Sequence, residues 1–184
     1  MIYFGDVRGD SLPISSVNQG GQSAFIIVIM QEKGIILTRK KGEEMKKDQN
    51  CGYCMRGELL DAFGIYICDL RVSSLILFKE QSHPGRCIVA YKEHVSELVD
   101  ISEEERAAFM EDVAQASKAI HAAFGPQKVN YGAYGDTGCH LHMHLVPKYM
   151  DEFEWGDVFA MNPQRTYLEE KQYEEMIEKI KANL

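Results

Sequence analysis

The chain has 184 residues, 45% of them hydrophobic, and a formal net charge of -8. This length and hydrophobic content predict one compact domain with a substantial core and argue against disorder. The acidic charge argues against sequence-independent binding to nucleic acid, which needs a basic surface to neutralise phosphates. Small anionic ligands remain compatible with this charge, because backbone N–H groups at a turn bind them without a basic surface.

Residues 1–44 differ in character from the rest of the chain. They contain the polar stretch SSVNQGGQS, one apolar run from Ala24 to Met30 and the basic patch RKK. The apolar run is far shorter than the roughly 18 residues of a membrane span. It also lacks a small-residue cleavage site, so we expect neither a transmembrane helix nor a secretory signal. A strand or hairpin is the simplest interpretation of this segment.

A second hypothesis concerns the start of the native protein. In a bacterium, the codons for Lys41, Gly42 and Glu43 can spell a purine-rich ribosome-binding sequence just ahead of Met45. Residues 1–44 would then be an N-terminal extension upstream of the native start, and residues 45–184 would be the domain. A native-protein mass that includes residues 1–44 would exclude this hypothesis.

Cys51 and Cys54 stand in the sequence CGYC. Their spacing is typical of tetrahedral zinc sites, because both thiolates can reach one ion. The same spacing occurs in thiol–disulfide exchange sites, but those place the pair at a helix start in a thioredoxin-like unit, which the order of elements here does not resemble. We therefore prefer zinc, with His94 and His140 as candidates for the two remaining ligands. Four protein ligands would make the site structural, since no position stays open for water.

The other cysteines point to the compartment. The chain has five cysteines in total, an odd number. This count fits a reducing cytoplasm better than a disulfide framework, so we expect a cytoplasmic protein. Cys68, Cys87 and Cys139 are interpreted as ordinary small buried or edge residues.

From Cys51 onward the sequence predicts short strands and two longer helices. The strand-like segments are GIYICDL, SSLILFK, RCIVAY, KVNYGAY and HLHMHLVPK. Ser102 and Glu105 form the capping box of a helix that ends at Gly125 and Pro126. A last amphipathic helix begins near Tyr167.

Histidines occupy positions 140, 142 and 144 of the last strand-like segment. Alternate side chains of a strand point to opposite faces, so the three imidazoles would share one face and the intervening apolar residues the other. Three titratable rings side by side repel one another when charged and need partners when neutral. Catalysis or metal binding explains this face better than ordinary burial does.

The turn Gly135-Asp136-Thr137-Gly138 directly precedes these histidines. Its glycines would let backbone N–H groups approach a phosphate, and Thr137 offers a hydroxyl donor. A plain turn is the alternative interpretation.

These motifs together resemble the histidine triad (HIT) family of nucleotide hydrolases and transferases. HLHMHLV fits the His-φ-His-φ-His-φ-φ signature, where φ is apolar, and the resemblance extends to CGYC, GRCIVAYKEH and NYGAYGDTG, covering roughly residues 46–160. The resemblance implies an α+β fold, an antiparallel sheet flanked by helices, paired as a homodimer. It also implies a structural Zn²⁺ held by Cys51, Cys54, His94 and His140.

The resemblance further implies a reaction and its residues. His142 would be the nucleophile that attacks the α-phosphorus of a nucleotide and forms a nucleotidyl-imidazole intermediate, which water hydrolyses to a nucleoside monophosphate. His144 would hydrogen-bond the phosphate or the leaving group, and a backbone carbonyl would hold the far nitrogen of His142. Thr137 occupies the family's phosphate-contacting position. We expect adenine nucleotides as the substrates.

Asp136 departs from the family pattern, in which glutamine or asparagine is usual. A carboxylate there would repel the substrate phosphates unless it is protonated or turned away. Asn130 and Glu80 resemble positions that contact phosphate or ribose in relatives, and Gly135 belongs to the same phosphate turn. Phe153, Trp155 and Phe159 would stack on a base or lie in a subunit interface, which we favour.

The sequence leaves the acceptor of the nucleotide open. Beside a hydrolase of dinucleoside polyphosphates or nucleoside phosphoramidates, a nucleotidyltransferase or phosphorylase would pass the nucleotide from His142 to phosphate or a sugar phosphate. A nucleotide-binding protein with a triad but no useful turnover is the alternative from another class.

Overall fold

The structure is a computed structural model that describes residues 45–136, 138–152, 154–161, 163 and 166–184, together with the backbone of four short strands in the first 44 residues. Residues 1–44 and residues 45–184 form two separate compact units. In the first unit the strands pair antiparallel, β1 (Ile14–Ser16) with β2 (Ala24–Ile26) and β3 (Met30–Gln31) with β4 (Gly34–Ile35). This agrees with the strand or hairpin predicted there, while the start at Met45 stays a prediction.

An antiparallel five-stranded sheet forms the centre of the second unit. Its strands are β5 (Gly64–Asp69), β6 (Ser73–Phe78), β7 (Cys87–Tyr91), β8 (Lys128–Gly132) and β9 (His142–Lys148). Their order across the sheet is β5-β6-β7-β9-β8. The five predicted strands are confirmed with small changes at their ends. The change that bears on the site is at β9, which begins at His142 and leaves His140 just outside the strand.

Four α-helices and one 3-10 turn complete the described part of this unit. They are α1 (Gly52–Met55), α2 (Glu58–Asp61), the 3-10 turn (Leu98–Asp100), α3 (Glu103–Phe124) and α4 (Glu170–Lys181). The predicted capping box of α3 is confirmed, since Ser102 Oγ accepts from Glu105 N–H at 3.2 Å. Gly125 ends α3 with a left-handed φ of 63°. Within the described residues, each helix is too short or too polar to span a bilayer.

The last helix starts later than predicted. Glu169 has extended backbone and forms a capping box with Gln172, so the helix begins at Glu170 rather than near Tyr167. The N–H of Leu168 is used outside the helix, where it donates to the hydroxyl oxygen of Tyr173 at 3.0 Å. Side-chain partners at the helix start therefore fix its first residue.

The two faces of the sheet have different neighbours. Alternate residues of β6, β7 and β9 point to one face and form the main core with α3 and α4; this set includes Leu75, Leu77, Val89, Leu145, Phe109 and Ile180. The other residues of β6 and β7, such as Ile76 and Ile88, pack in a smaller cluster with Leu60 of α2. Because both faces are covered, β6 and β7 are buried along their whole length, and β6 is continuously apolar from Leu75 to Phe78.

Asp112 attaches α3 to the sheet. Its carboxylate is buried and accepts hydrogen bonds from the N–H groups of Arg71 and Val72, at 3.1 and 2.9 Å, and from Ser73 Oγ at 2.6 Å. Three donors offset the cost of burying this charge. The turn between β5 and β6 is thereby held against the helix.

Candidate active site and metal centre

His142 and His144 lie on the face of β9 opposite the main core. Their partners across the ladder are Ala90 and Ile88 of β7, and both histidines are buried. Their ring centroids are 5.1 Å apart. The alternation predicted from the sequence is therefore confirmed for these two imidazoles.

His142 is held by a backbone carbonyl. Its Nδ1 lies 2.6 Å from the carbonyl oxygen of His140. A carbonyl only accepts hydrogen bonds, so Nδ1 carries the proton and Nε2 keeps a lone pair. Burial lowers the pKa of His142, and the bond to the His140 carbonyl acts against this shift. The result is a neutral imidazole with a nucleophilic nitrogen.

A cluster of four possible metal ligands lies beside this ring. Ligand atoms of Cys51, Cys54, His94 and His140 all lie within 4.8 Å of one another. Cys51 is the N-cap residue of α1, and Cys54 lies within this helix. His94 follows β7, and His140 precedes β9. The ligand set predicted from the sequence is thus brought together in space.

The distances within the cluster fit zinc. His140 Nδ1 lies 3.4 Å from Cys51 Sγ and 3.5 Å from Cys54 Sγ. His94 Nδ1 lies 3.4 Å from Cys54 Sγ and 3.4 Å from His140 Nδ1. A tetrahedral zinc ion, with Zn–S of about 2.3 Å and Zn–N of about 2.0 Å, requires S···N separations of roughly 3.5 Å and N···N separations of roughly 3.3 Å.

The protonation of His140 also fits a metal. Its Nε2 lies 2.7 Å from the carbonyl oxygen of Tyr91, so Nε2 carries the proton and Nδ1 presents a lone pair to the two sulfurs. Burial lowers the pKa of His140 to about 4, which keeps the ring neutral. A cation between these atoms would offset the repulsion between their lone pairs. A ligating histidine typically donates its other N–H to a carbonyl or carboxylate, as His140 does to Tyr91.

Tyr53 connects the metal cluster to His142. It stands between the two cysteines of CGYC, and its ring stacks on His142 with centroids 4.9 Å apart and an interplanar angle of 28°. The same ring is 5.0 Å from His140. Sequence reasoning did not identify Tyr53; its position between two metal-ligand cysteines is the signal that could have done so.

Arg86 is the second residue that sequence reasoning missed. Its side chain is completely buried, and Nη2 lies 3.3 Å from His144 Nδ1. The guanidinium also lies over the ring of Phe78, 4.2 Å from the centroid. The only sequence signal is an arginine at the edge of the apolar segment RCIVAY.

A cavity of about 650 Å³ opens beside the two histidines. Its described lining includes His142 and His144, the turn residues Gly135 and Asp136, the metal-cluster residues Cys51 and His94, Met161, and the aromatic residues Tyr53, Phe63, Phe78 and Tyr134. Thr137, predicted to contact phosphate, lies outside the described residues. The volume lies within the range of pockets for small molecules, roughly 300 to 1,000 Å³.

Two predicted nucleotide contacts lie away from the described lining of this cavity. Asn130 is on β8, opposite Val146. Glu80 is 1% exposed, and its Oε1 accepts from the N–H groups of Ser82 and Thr166, at 3.1 and 2.9 Å. Their roles in nucleotide binding stay predictions.

The segment after β9 folds back toward Arg86. Glu154, at a left-handed φ of 63°, accepts from His83 Nε2 at 2.9 Å and from Ala160 N–H at 3.2 Å. Phe159 is buried and lies edge-on against Tyr134, with centroids 6.0 Å apart. Trp155 is 44% exposed. Of the aromatic residues predicted to stack or to form an interface, Phe153 lies outside the described residues, and Phe159 packs against Tyr134, which lines the cavity.

Comparison with known proteins finds a matching family model and solved structures of similar fold. The family model described as HIT domain matches residues 65–151. A histidine triad (HIT) protein from Sinorhizobium meliloti 1021 superposes with a TM-score of 0.65 at 20% identity, covering 71% of this chain and 97% of that chain. A histidine triad protein from Bradyrhizobium japonicum gives 0.64 at 19%, with coverages of 71% and 98%. One from Marinobacter aquaeolei VT8 gives 0.64 at 19%, with 72% and 97%. No curated protein matches the sequence.

Proposed function

We propose that this chain, whose residues 65–151 match the HIT domain family model, is a nucleotide hydrolase that acts through a nucleotidyl-histidine intermediate on His142. The observation that carries the proposal is the hydrogen bond from His142 Nδ1 to the His140 carbonyl, 2.6 Å long, which leaves Nε2 with its lone pair beside the cavity. The products are a nucleoside monophosphate and the released leaving group.

The first chemical step is attack on the α-phosphorus. The Nε2 lone pair of His142 forms a bond to phosphorus while the bond from phosphorus to the leaving group breaks, and the leaving group takes that electron pair and then a proton. The ring gains positive charge as the new bond forms. The His140 carbonyl accepting from Nδ1–H stabilises this charge and keeps the ring in one orientation.

The second step releases the nucleotide. A water molecule attacks phosphorus, the bond between phosphorus and Nε2 breaks, and its electron pair returns to His142. The water loses a proton to solvent, and the nucleoside monophosphate leaves the cavity. An imidazole is a better leaving group than an alkoxide, so one difficult substitution becomes two easier ones.

Zinc would have a structural role. Cys51, Cys54, His94 and His140 would hold it with four protein ligands, which leaves no position for a reacting water. Bound zinc would fix the position of His140, whose carbonyl holds His142, and of Tyr53, whose ring stacks on His142. A bound metal would thus help to position His142 without taking part in the reaction.

We assign adenine nucleotides as the preferred substrates. The cavity is large enough for a nucleoside 5′-phosphate, and its aromatic lining offers stacking surfaces for a base. Gly135, together with Thr137, would provide donors to the phosphate. Among the described residues that line the cavity, the acidic side chains are Asp48 and Asp136, and none is a lysine or an arginine. Binding of the substrate phosphates would therefore depend on neutral N–H and O–H donors.

We also propose that the protein acts as a homodimer in the cytoplasm. β8 lies at one edge of the sheet, where Tyr131 is 50% exposed. A second copy pairing at an open edge would satisfy its free backbone groups. Sedimentation of the purified protein would measure the mass of the assembly.

The test is release of nucleoside monophosphate from diadenosine polyphosphates and from adenosine phosphoramidate, resolved by chromatography. We expect release by the wild type and none by His142→Ala. His121→Ala is the matched control, because His121 is an exposed histidine on α3. Turnover that requires added phosphate or a sugar phosphate would replace the hydrolase with a transferase. Nucleotide binding without turnover under any of these conditions would contradict an enzymatic role.

A further inference from the structure

Arg86 has an unusual environment for an arginine. Its side chain is completely buried, although a buried guanidinium is costly unless it is paired and hydrogen-bonded. Nη1 donates to the carbonyl oxygen of Met161 at 2.7 Å, and Nη2 lies 3.3 Å from His144 Nδ1. The residue is therefore directed at one of the two histidines of the active site.

Glu80 compensates the charge of Arg86. Its Oε2 lies 3.7 Å from Arg86 Nη1, and its side chain is also buried. Burial lowers the pKa of Arg86 to about 10, and Glu80 acts in the opposite direction. The guanidinium thus stays protonated at neutral pH. The guanidinium of Arg86 therefore contacts both the carboxylate of Glu80 and the imidazole of His144, and all three side chains are buried.

We propose that Arg86 is a positioning residue that fixes His144 in the tautomer with its proton on Nε2. A guanidinium has only donors, so the ring nitrogen that faces it must accept. His144 Nδ1 therefore carries the lone pair and Nε2 carries the proton. If the hydrolase function proposed above holds, on which this step rests, Nε2–H is the donor that His144 offers to a phosphoryl oxygen in the cavity.

This arrangement gives the two histidines opposite tautomers. In His142 the backbone carbonyl of His140 places the proton on Nδ1, whereas in His144 the guanidinium of Arg86 places it on Nε2. One ring is thereby a nucleophile and the other a hydrogen-bond donor, although both are imidazoles on the same strand. Donors fixed before the reaction stabilise the charge that develops on phosphoryl oxygens.

The same contact makes His144 a neutral donor rather than a general acid. A second proton on His144 would sit on Nδ1, directly against the guanidinium. Burial, together with smaller contributions from the charges of Arg86 and His142, lowers the pKa of His144 to about 3. In the proposed reaction, the leaving group would therefore take its proton from a donor other than an imidazolium of His144.

The direct test is nitrogen NMR of the zinc-loaded wild-type protein labelled with ¹⁵N-histidine, with the His144 signals assigned by their loss in His144→Asn. We expect Nδ1 of His144 to resonate as an unprotonated ring nitrogen and Nε2 as a protonated one. A proton on Nδ1 of His144 would overturn the proposal, and this result needs no variant of Arg86 to fold.

A pair of variants tests the cause. In Arg86→Met we expect His144 to populate both tautomers and kcat to fall about tenfold or more with a smaller change in KM, while Arg86→Lys, which keeps the charge, recovers part of the loss. Arg106→Met is the matched control, because Arg106 also donates to backbone carbonyls but lies on α3. An unchanged His144 tautomer in a folded Arg86→Met would also overturn the proposal.

The spectra and the turnover assay separate the two proposals. The predicted tautomer in a wild-type protein that releases no nucleotide would support the role of Arg86 and contradict the proposed function. Turnover by a wild type whose His144 carries its proton on Nδ1 would support the proposed function and contradict the role of Arg86.

Discussion

His142 Nδ1 lies 2.6 Å from the carbonyl oxygen of His140, the residue whose own Nδ1 faces the two cysteines of the metal cluster. The same residue thus contributes its side chain to the cluster of possible metal ligands and its backbone carbonyl to the proposed nucleophile, His142. A shift of His140 would move the carbonyl that holds the ring of His142. In the proposed mechanism, this relationship would link metal binding at the cluster to the reactivity of His142.

The first prediction concerns the metal. We expect about one zinc per chain in the purified wild type, and loss of that zinc in Cys51→Ser together with a lower thermal midpoint, because structural zinc contributes directly to folding free energy. Cys139→Ser is the control, since Cys139 is exposed and adjacent to His140 but lies outside the cluster. Elemental analysis and thermal unfolding measure both effects. A fully folded wild type free of metal would contradict the zinc assignment without testing the proposed role of His142.

The second prediction concerns Tyr53. Replacement by alanine removes the ring that stacks on His142 and packs edge-on against Phe63 at 5.2 Å. We expect Tyr53→Ala to lower kcat about tenfold and to destabilise the protein by about 2 to 3 kcal/mol. Tyr53→Phe should keep most of the activity, because the contact with His142 is made by the ring. Steady-state kinetics and urea unfolding give the two quantities. Equal kcat values in Tyr53→Ala and wild type would show that the stacking does not position His142.

The third prediction concerns Asp136, one of the two carboxylates in the described lining of the cavity. Removing its charge should favour substrates with several phosphates, because repulsion between unit charges near a protein surface is on the order of 1 kcal/mol or more. We expect Asp136→Asn to raise kcat/KM for diadenosine polyphosphates by about three- to tenfold, with a smaller change for adenosine phosphoramidate. Asp151→Asn is an exposed control. The kcat/KM for diadenosine polyphosphates can be divided by the kcat/KM for adenosine phosphoramidate in each protein. The same quotient in wild type and Asp136→Asn would exclude this electrostatic role.

Candidate site residues that lie in short motifs could be identified from the sequence. The spacing of Cys51 and Cys54 and the alternation of the histidines indicated metal binding and a shared imidazole face, and the structure brings these groups together. The N-terminal cap of α3 was also predictable, because Ser102 and Glu105 form their capping box within a single turn. These features depend on contacts between residues that are near one another in sequence.

The partners that orient the histidines were not predictable in the same way. The carbonyls of Tyr91 and His140 carry no sequence signal, since every residue has one. Arg86 reaches His144 because β7 and β9 are neighbours in the sheet, a pairing between strands far apart in the chain. β6 and β7 are apolar on both faces, so their sequence does not show which strand pairs with which. The tautomers of the site therefore depend on tertiary structure.

The central claim is that His142 Nε2 forms a covalent bond with the nucleotide. The most direct measurement mixes the protein with a diadenosine polyphosphate, quenches the reaction in alkali within the first turnover, and determines the mass of the peptide that contains residue 142. We predict that an adenylyl group is added to His142 in the wild type and that none is added in His142→Ala. Turnover by the wild type with no modified peptide, or with the adenylyl group on another residue, would contradict the account.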